Sequence, residues 1–185
     1  MQNRDLFPET GAEPPLGLAD EGQHLLELYT NPDWNGWAQT VSLGGTATWE
    51  SWDADVTGES MSHPWGAVGL LGIQKYILGI QPLKPQHEKI QIKPLEFNKK
   101  LKSAKGTLPT DRGNVTVEWA RYDNIFSIIL TLPDNMTAKV YVPKSGTKGA
   151  ELKVDDLKVT GTEEGNYVFV DNIDSGIHTF VRNAK

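Results

Sequence analysis

Near Gly79 the hydrophobic pattern of this chain changes its period, and that change limits the folds open to it. Upstream, apolar residues recur at helical spacing: Leu18, Gly22, Leu25, Leu26 and Tyr29, and later Ala67, Val68, Leu70, Leu71, Ile73, Tyr76, Ile77 and Ile80. Downstream they alternate. Ile90 and Ile92 open the pattern, and Val115, Val117 and Trp119 are set among Thr116, Glu118 and Ala120. Short runs follow at 126–132, 138–142, 167–170 and 177–181. Turn signals separate them: Asp111 to Gly113, Asp123 with Asn124, and Asp174 to Gly176. A 3.6-residue period followed by a two-residue period predicts an α+β chain in two units. A helical segment is expected over 17–84 and an antiparallel β-sandwich over 85–185. Residues 1–16, with Pro8, Gly11, Pro14 and Pro15, read as an irregular arm.

Within the helical segment, Asp20 and Glu21 sit where a helix dipole favours acids, and Pro32 ends that helix. Residues 37–43 predict a short helix stopped by Gly44 and Gly45. Residues 64–80 predict a longer one, with Pro64 in its first turn. That helix is apolar nearly all round, so it should be buried on most sides. Gly66, Gly69 and Gly72 weaken it intrinsically and are better read as close-packing positions against another helix. So few helices cannot cover it, which predicts self-association through 64–80.

The charge is uneven. Residues 1–84 hold 3 Lys and Arg against 11 Asp and Glu, whereas residues 85–185 hold 15 against 13. The net charge of −6 argues against a nucleic-acid partner. No apolar run reaches the roughly 20 residues of a membrane helix, and the first residues have no signal-peptide core. No compartment follows from this, and with no cysteine there is neither disulfide nor thiolate metal site. His24, His87 and His178 read as structural, the last two in strand territory. Lys99, Lys100, Lys102 and Lys105 read as a solvated strand edge that discourages aggregation.

Residues 46–67, read mainly as loop, concentrate the chemistry. They hold Trp49, Trp52 and Trp65, the carboxylates Glu50, Asp53, Asp55 and Glu59, and His63. Indole faces pack on the C–H faces of a sugar ring, and carboxylates and imidazole bond its hydroxyls. On composition alone the tryptophans would be core and the carboxylates a solvated loop. Asp53, Asp55, Thr57 and Gly58 loosely follow a calcium loop, but the closing Glu is misplaced, so neither metal nor cofactor is expected.

The order of these residues is more specific than their composition. Gly44 or Gly45, then Thr48, Trp49, Glu50, Trp52 and Asp53, then His63, Gly66 and Ala67, resemble the late catalytic segment of the bacterial α-L-rhamnosidases. Those are inverting glycoside hydrolases built on an (α/α)6 barrel. Residues 18–39 resemble the helix pair before that segment. The runs at 89–94, 113–119, 132–143 and 175–180 resemble the β-sandwich that closes the family's chain.

The resemblance implies a fold and a set of roles. The chain would hold a few helices from the end of the barrel and the C-terminal sandwich. Glu50 would be the general base and His63 a ligand of the bound sugar, with Trp49, Trp52 and Trp37 lining or supporting the pocket. The partner would be a rhamnose-containing glycoside or oligosaccharide, together with the remainder of the barrel or a second copy. The family's general acid is another Glu, in a segment that residues 1–45 do not reproduce, so this chain alone is expected to lack activity. The competing readings are a non-catalytic carbohydrate-binding module and a structural module.

Overall fold

The computed structural model describes residues 22–33, 35–95, 101–144 and 150–183. The expected arm, the helix start at Leu18, Asp20 and Glu21, and Lys99 and Lys100 lie outside the described residues. The chain divides into two compact units, Met1–Ile73 and Gln74–Lys185. The divide falls upstream of the 84/85 position taken from the sequence.

In the first unit, α1 spans Gly22–Thr30 and buries Leu25 and Leu26. It ends where Pro32 cannot continue it and the Asn31 side chain accepts the Asp33 N–H at 3.0 Å. Helix α2, Trp37–Ser42, stops before Gly44, whose φ of 86° leaves the helical region. A four-residue helix α3, Ala54–Thr57, interrupts the loop expected over 46–61.

The helix expected over 64–80 winds in three ways. A 3₁₀ turn, Pro64–Ala67, leads into α4, Val68–Gly72, and then a π turn, Ile73–Ile77. Two of the three glycines do pack closely, Gly69 against a helix and Gly66 against the loop that carries Trp49. A Cβ on Gly69 would stand 2.7 Å from Cε2 of Trp37 on α2, and one on Gly66 would stand 2.8 Å from the Trp49 carbonyl oxygen. Leu70 and Leu71, on the other hand, are 68% and 50% exposed. The apolar helix is therefore covered on its glycine side and open on its leucine side.

The second unit is the sandwich. Helical winding ends at Ile77, and Ile80 is already strand, so the expected helix stops short of its last residue. Gly79 makes the transition with φ at 80°, and its carbonyl accepts the Lys93 N–H at 2.8 Å. A Cβ there would lie 2.3 Å from Pro94 N, so only glycine fits. The strands are β1 Ile80–Pro82, β2 Lys89–Ile92, β3 Ser103–Thr110, β4 Gly113–Tyr122, β5 Ile125–Leu132 and β6 Thr137–Pro143. They continue as β7 Glu151–Val154, β8 Leu157–Val159, β9 Thr162–Glu164, β10 Tyr167–Ile173 and β11 Gly176–Asn183.

One sheet has the order β1-β2-β6-β10-β9 and the other β3-β4-β5-β11-β7-β8. Two of the turn signals close hairpins, β3 to β4 and β4 to β5, and the third, Asp174 to Gly176, carries the chain from β10 in one sheet to β11 in the other. Pairing is antiparallel except between β2 and β6, which run parallel because the chain crosses to the other sheet and back between them. Alternation sets the core. Val115, Val117, Ile128, Leu130 and Phe180 are fully buried, whereas Ile129 is 43% exposed. Trp119, 1% exposed, stacks on Phe126 at 5.6 Å and donates its indole N–H to the Ile77 carbonyl at 2.7 Å.

Two of the histidines read as structural are placed differently by the fold. His87 is not in a strand; it closes the 3₁₀ turn Pro85–His87 with a positive φ of 54°. His178 is on β11, and its Nδ1 lies 2.8 Å from Asp155 in the β7–β8 turn. The Asp155 carboxylate also accepts the Thr179 N–H at 2.8 Å.

That backbone bond, and then the His178 bond, hold the Asp155 carboxyl below its ordinary range. A lowered folded value stabilises the fold above the ordinary carboxylate range of about 4 and is lost as pH falls through the folded value. Asp155→Asn should lower the denaturation midpoint at pH 7 and leave it nearly unchanged near pH 2. Urea melts of both proteins at the two pH values check this. Equal losses at both would count against a role for the charge.

Candidate functional site

The site is built on the first unit. Residues 48–51 and 59–63 lie alongside each other through a set of hydrogen bonds. The Glu50 N–H donates to Ser60 O at 2.8 Å, and the Ser60 N–H donates to Glu50 Oε2 at 2.9 Å. The His63 N–H donates to Thr48 O at 2.7 Å, and Thr48 Oγ1 donates back to His63 O at 2.7 Å. Ser51 and Glu59 are hydrogen-bonded side chain to side chain. Short polar residues make this possible, because their hydroxyls and amides bond locally to the backbone. The Glu50 carboxylate is thereby fixed in orientation, and His63 is tied to the strand-like segment that carries it. Both side chains are half-buried.

The tryptophans gather beneath. Trp49 and Trp52 are 4% and 8% exposed. Trp37 meets Trp52 edge-on at 5.1 Å, stacks on Tyr29 at 5.0 Å, and donates its indole N–H to Gly66 O at 3.0 Å. Trp37, Trp49 and Trp52 line one pocket of about 260 Å³ with Thr40, Val41 and Thr48. Its lining is mostly apolar, as a sugar's C–H face would require. Glu50 and His63 are not among the residues lining that pocket; they sit on the adjoining hydrogen-bonded segment.

Three contributors escaped the sequence reading. Ser60 orients Glu50, the Thr48 hydroxyl ties down His63, and Tyr29 backs Trp37 while donating to Gly69 O at 2.7 Å. Tyr29 was visible only as part of an apolar stripe. The other two are short polar residues ten and fifteen positions from their partners, and no local spacing reveals such pairs. Asp53 and Asp55 are exposed around the start of α3. Among the described residues, no three or more His, Asp or Glu side chains group to hold a metal ion.

Comparison with known proteins fits this architecture. Residues 79–155 match the bacterial alpha-L-rhamnosidase C-terminal domain. An alpha-L-rhamnosidase of Alteromonas sp. (strain LOR) is 29% identical over 190 residues, covering 91% of this chain and 20% of that protein. One from Streptomyces avermitilis is 29% identical over 135 residues, covering 69% of this chain and 13% of its own length.

Among solved structures, the alpha-L-rhamnosidase of Dictyoglumus thermophilum superposes with a TM-score of 0.79 at 25% identity, covering 91% of this chain and 19% of that one. The Streptomyces avermitilis enzyme, solved with L-rhamnose, gives 0.76 at 23% identity over 91% of this chain and 17% of its own, a likeness of fold. The resemblance read from the sequence is therefore borne out: the chain resembles the C-terminal part of α-L-rhamnosidases, and residues 79–155 match the family's C-terminal domain. It spans about a fifth of the length of these relatives. The domain match begins at Gly79, so it does not include Trp37, Trp49, Glu50, Trp52 or His63.

Thr48→Val keeps the side-chain shape and removes the hydroxyl that His63 O accepts from. A hydrogen bond of this kind contributes about 0.5–1.5 kcal/mol. Amide exchange at His63 should accelerate several-fold, with the exchange of Val117 and Ile128 unchanged. Unchanged exchange at His63 would mean that the hydroxyl does not hold the two segments together.

Proposed function

We propose that this chain supplies the base side of an inverting α-L-rhamnoside hydrolase site. Glu50 takes a proton from the attacking water, and His63 bonds the sugar. Trp37, Trp49 and Trp52 form the wall against which the ring rests. The observation that supports this reading is the fixed carboxylate of Glu50, oriented by the Ser60 N–H and adjacent in sequence to the pocket-lining Trp49. The second carboxyl, which protonates the leaving oxygen from roughly 6.5–9.5 Å away, belongs to the remainder of the barrel. Rhamnose-containing glycosides are the substrate class, as the relatives' names and the L-rhamnose complex of one of them favour.

The base assignment makes a kinetic prediction. In the complete enzyme, Glu50→Gln should lower kcat by about 10²–10⁴-fold with a much smaller change in KM, because the base acts in the transition state. His63→Ala should weaken binding and turnover together. Near-normal turnover of Glu50→Gln on a rhamnoside would remove Glu50 from the base role.

The isolated chain makes a second one. A base without its acid, in a half-walled pocket, forgoes orientation effects that can supply roughly 7–11 kcal/mol. Residues 1–185 should show no turnover of a nitrophenyl rhamnoside above background. The exposed Leu70 and Leu71 should drive self-association, relieved in Leu70→Ser with Leu71→Ser. A steady release of nitrophenol abolished by Glu50→Gln would show that the chain completes its own site. Sedimentation of the unmutated chain as a monomer would exclude the self-association.

A further inference from the structure

The sandwich has a second cavity, about 240 Å³, that the catalytic reading does not use. It lies at the open edge of the two sheets. There the chain leaves β8, the outermost strand of one sheet, and enters β9, the outermost strand of the other, through Thr160 and Gly161. Its lining includes Glu151, Lys158, Thr160, Glu163, Val168 and Arg182.

Arg182 is the unusual member. It is a charged residue only 6% exposed on the last strand, and it donates to the carbonyl oxygens of Pro143 and Lys144. A buried guanidinium is costly unless held by such acceptors, so the position is a built one. The other charges of the lining are held in ion pairs. Lys158 pairs with Glu151 at 3.0 Å, and Glu163 pairs with Lys144 at 2.8 Å. The Lys158 and Glu163 side chains are each about three-quarters exposed and can exchange partners at little cost.

The chemistry of that lining selects among ligands. Two acids and two bases line the cavity, and the acids are already paired with Lys158 and Lys144, so neither an isolated anion nor an isolated cation meets a single sign of charge. A neutral polyol gains from both signs, because its hydroxyls donate to Glu151 and Glu163 and accept from the exposed Lys158 ammonium, while Arg182 holds the cavity wall through the Pro143 and Lys144 carbonyls. Leu152, Val159 and Val168 supply an apolar surface for C–H groups. The volume is below that of pockets for drug-sized molecules and suits a single ring. The geometry points to a second, non-catalytic site here that binds one neutral pyranose. That the pyranose is L-rhamnose rests on the function proposed above; the pocket's preference for an uncharged sugar does not.

The test is a titration of the full isotope-labelled chain with L-rhamnose, followed by amide NMR. Saturable shifts are expected at Lys158, Thr160, Gly161, Val168 and Arg182. Glu163→Gln and Thr160→Val should each weaken them by about tenfold, the effect of one good hydrogen bond. Glu50→Gln and His63→Ala should leave them unchanged, which separates this site from the catalytic one. D-Glucose in place of L-rhamnose tests the wider class: saturable shifts with glucose alone would keep the site and remove rhamnose as its ligand. Absence of saturable shifts with either sugar would overturn the site. So would equal binding in both variants, or tighter binding of glucuronate than of glucose.

Discussion

The helical unit depends on how closely one backbone can approach the Trp37 ring. That ring is stacked by Tyr29, met edge-on by Trp52 and bonded through its N–H to Gly66 O. Gly69 lies against its face where no Cβ could stand, at 2.7 Å. Helix α4 can reach α2 only because glycine occurs at that spacing. The same approach sets Gly66 against the backbone of Trp49. The residue before Glu50 is therefore fixed by packing, Glu50 itself by its bonds with Ser60, and Thr48 by its bonds with His63. The candidate base is held between a packed indole and a hydrogen-bonded loop.

Much of this was legible in the sequence, and the failures have physical causes. Glycines at 66 and 69 in an otherwise apolar helix signalled close packing, and the structure has it. Turn residues at 111–113, 123–124 and 174–176 marked two hairpins and a crossing between the sheets, and period-two alternation marked β4, β5 and β11. The end of the long helix was misread because Leu78 and Ile80 are apolar too. They are 8% and 0% exposed, yet they belong to the sandwich core. A buried strand and a buried helix look alike over so few residues, and only Gly79 separates them. The parallel β2–β6 pair was invisible for another reason. Pairing direction follows from which sheet each hairpin joins, and no local pattern carries that. At the candidate site, Trp49 and Trp52 were legible as aromatic wall residues, whereas Ser60 and Thr48 act through backbone groups whose positions a sequence does not give.

Both units leave apolar side chains exposed, Leu157 and Ile177 of the sandwich among them, and the helical unit leaves more for its size. The sandwich closes its core from its own strands, with Val115, Val117, Ile128, Leu130, Val140 and Val142 fully buried. The helical unit has Leu25, Leu26, Trp49, Trp52 and Ala54 inside. Yet it leaves Val41, Val56, Leu70 and Leu71 between 50% and 79% exposed. Single exposed apolar side chains need no account, but several on one small unit, flanking a pocket of tryptophans, do.

This asymmetry bears on where chemistry can occur. Differential stabilisation of a transition state needs water excluded and charges held, and both require walls on all sides of the reacting atoms. On the proposed reading, the helical unit provides one wall: the Glu50 carboxylate held by the Ser60 N–H, the His63 backbone tied to Thr48, and a floor of indoles. Its outward leucines would then be the surface on which further helices pack. On that reading, the open pocket and the exposed leucines would be covered by the same further helices.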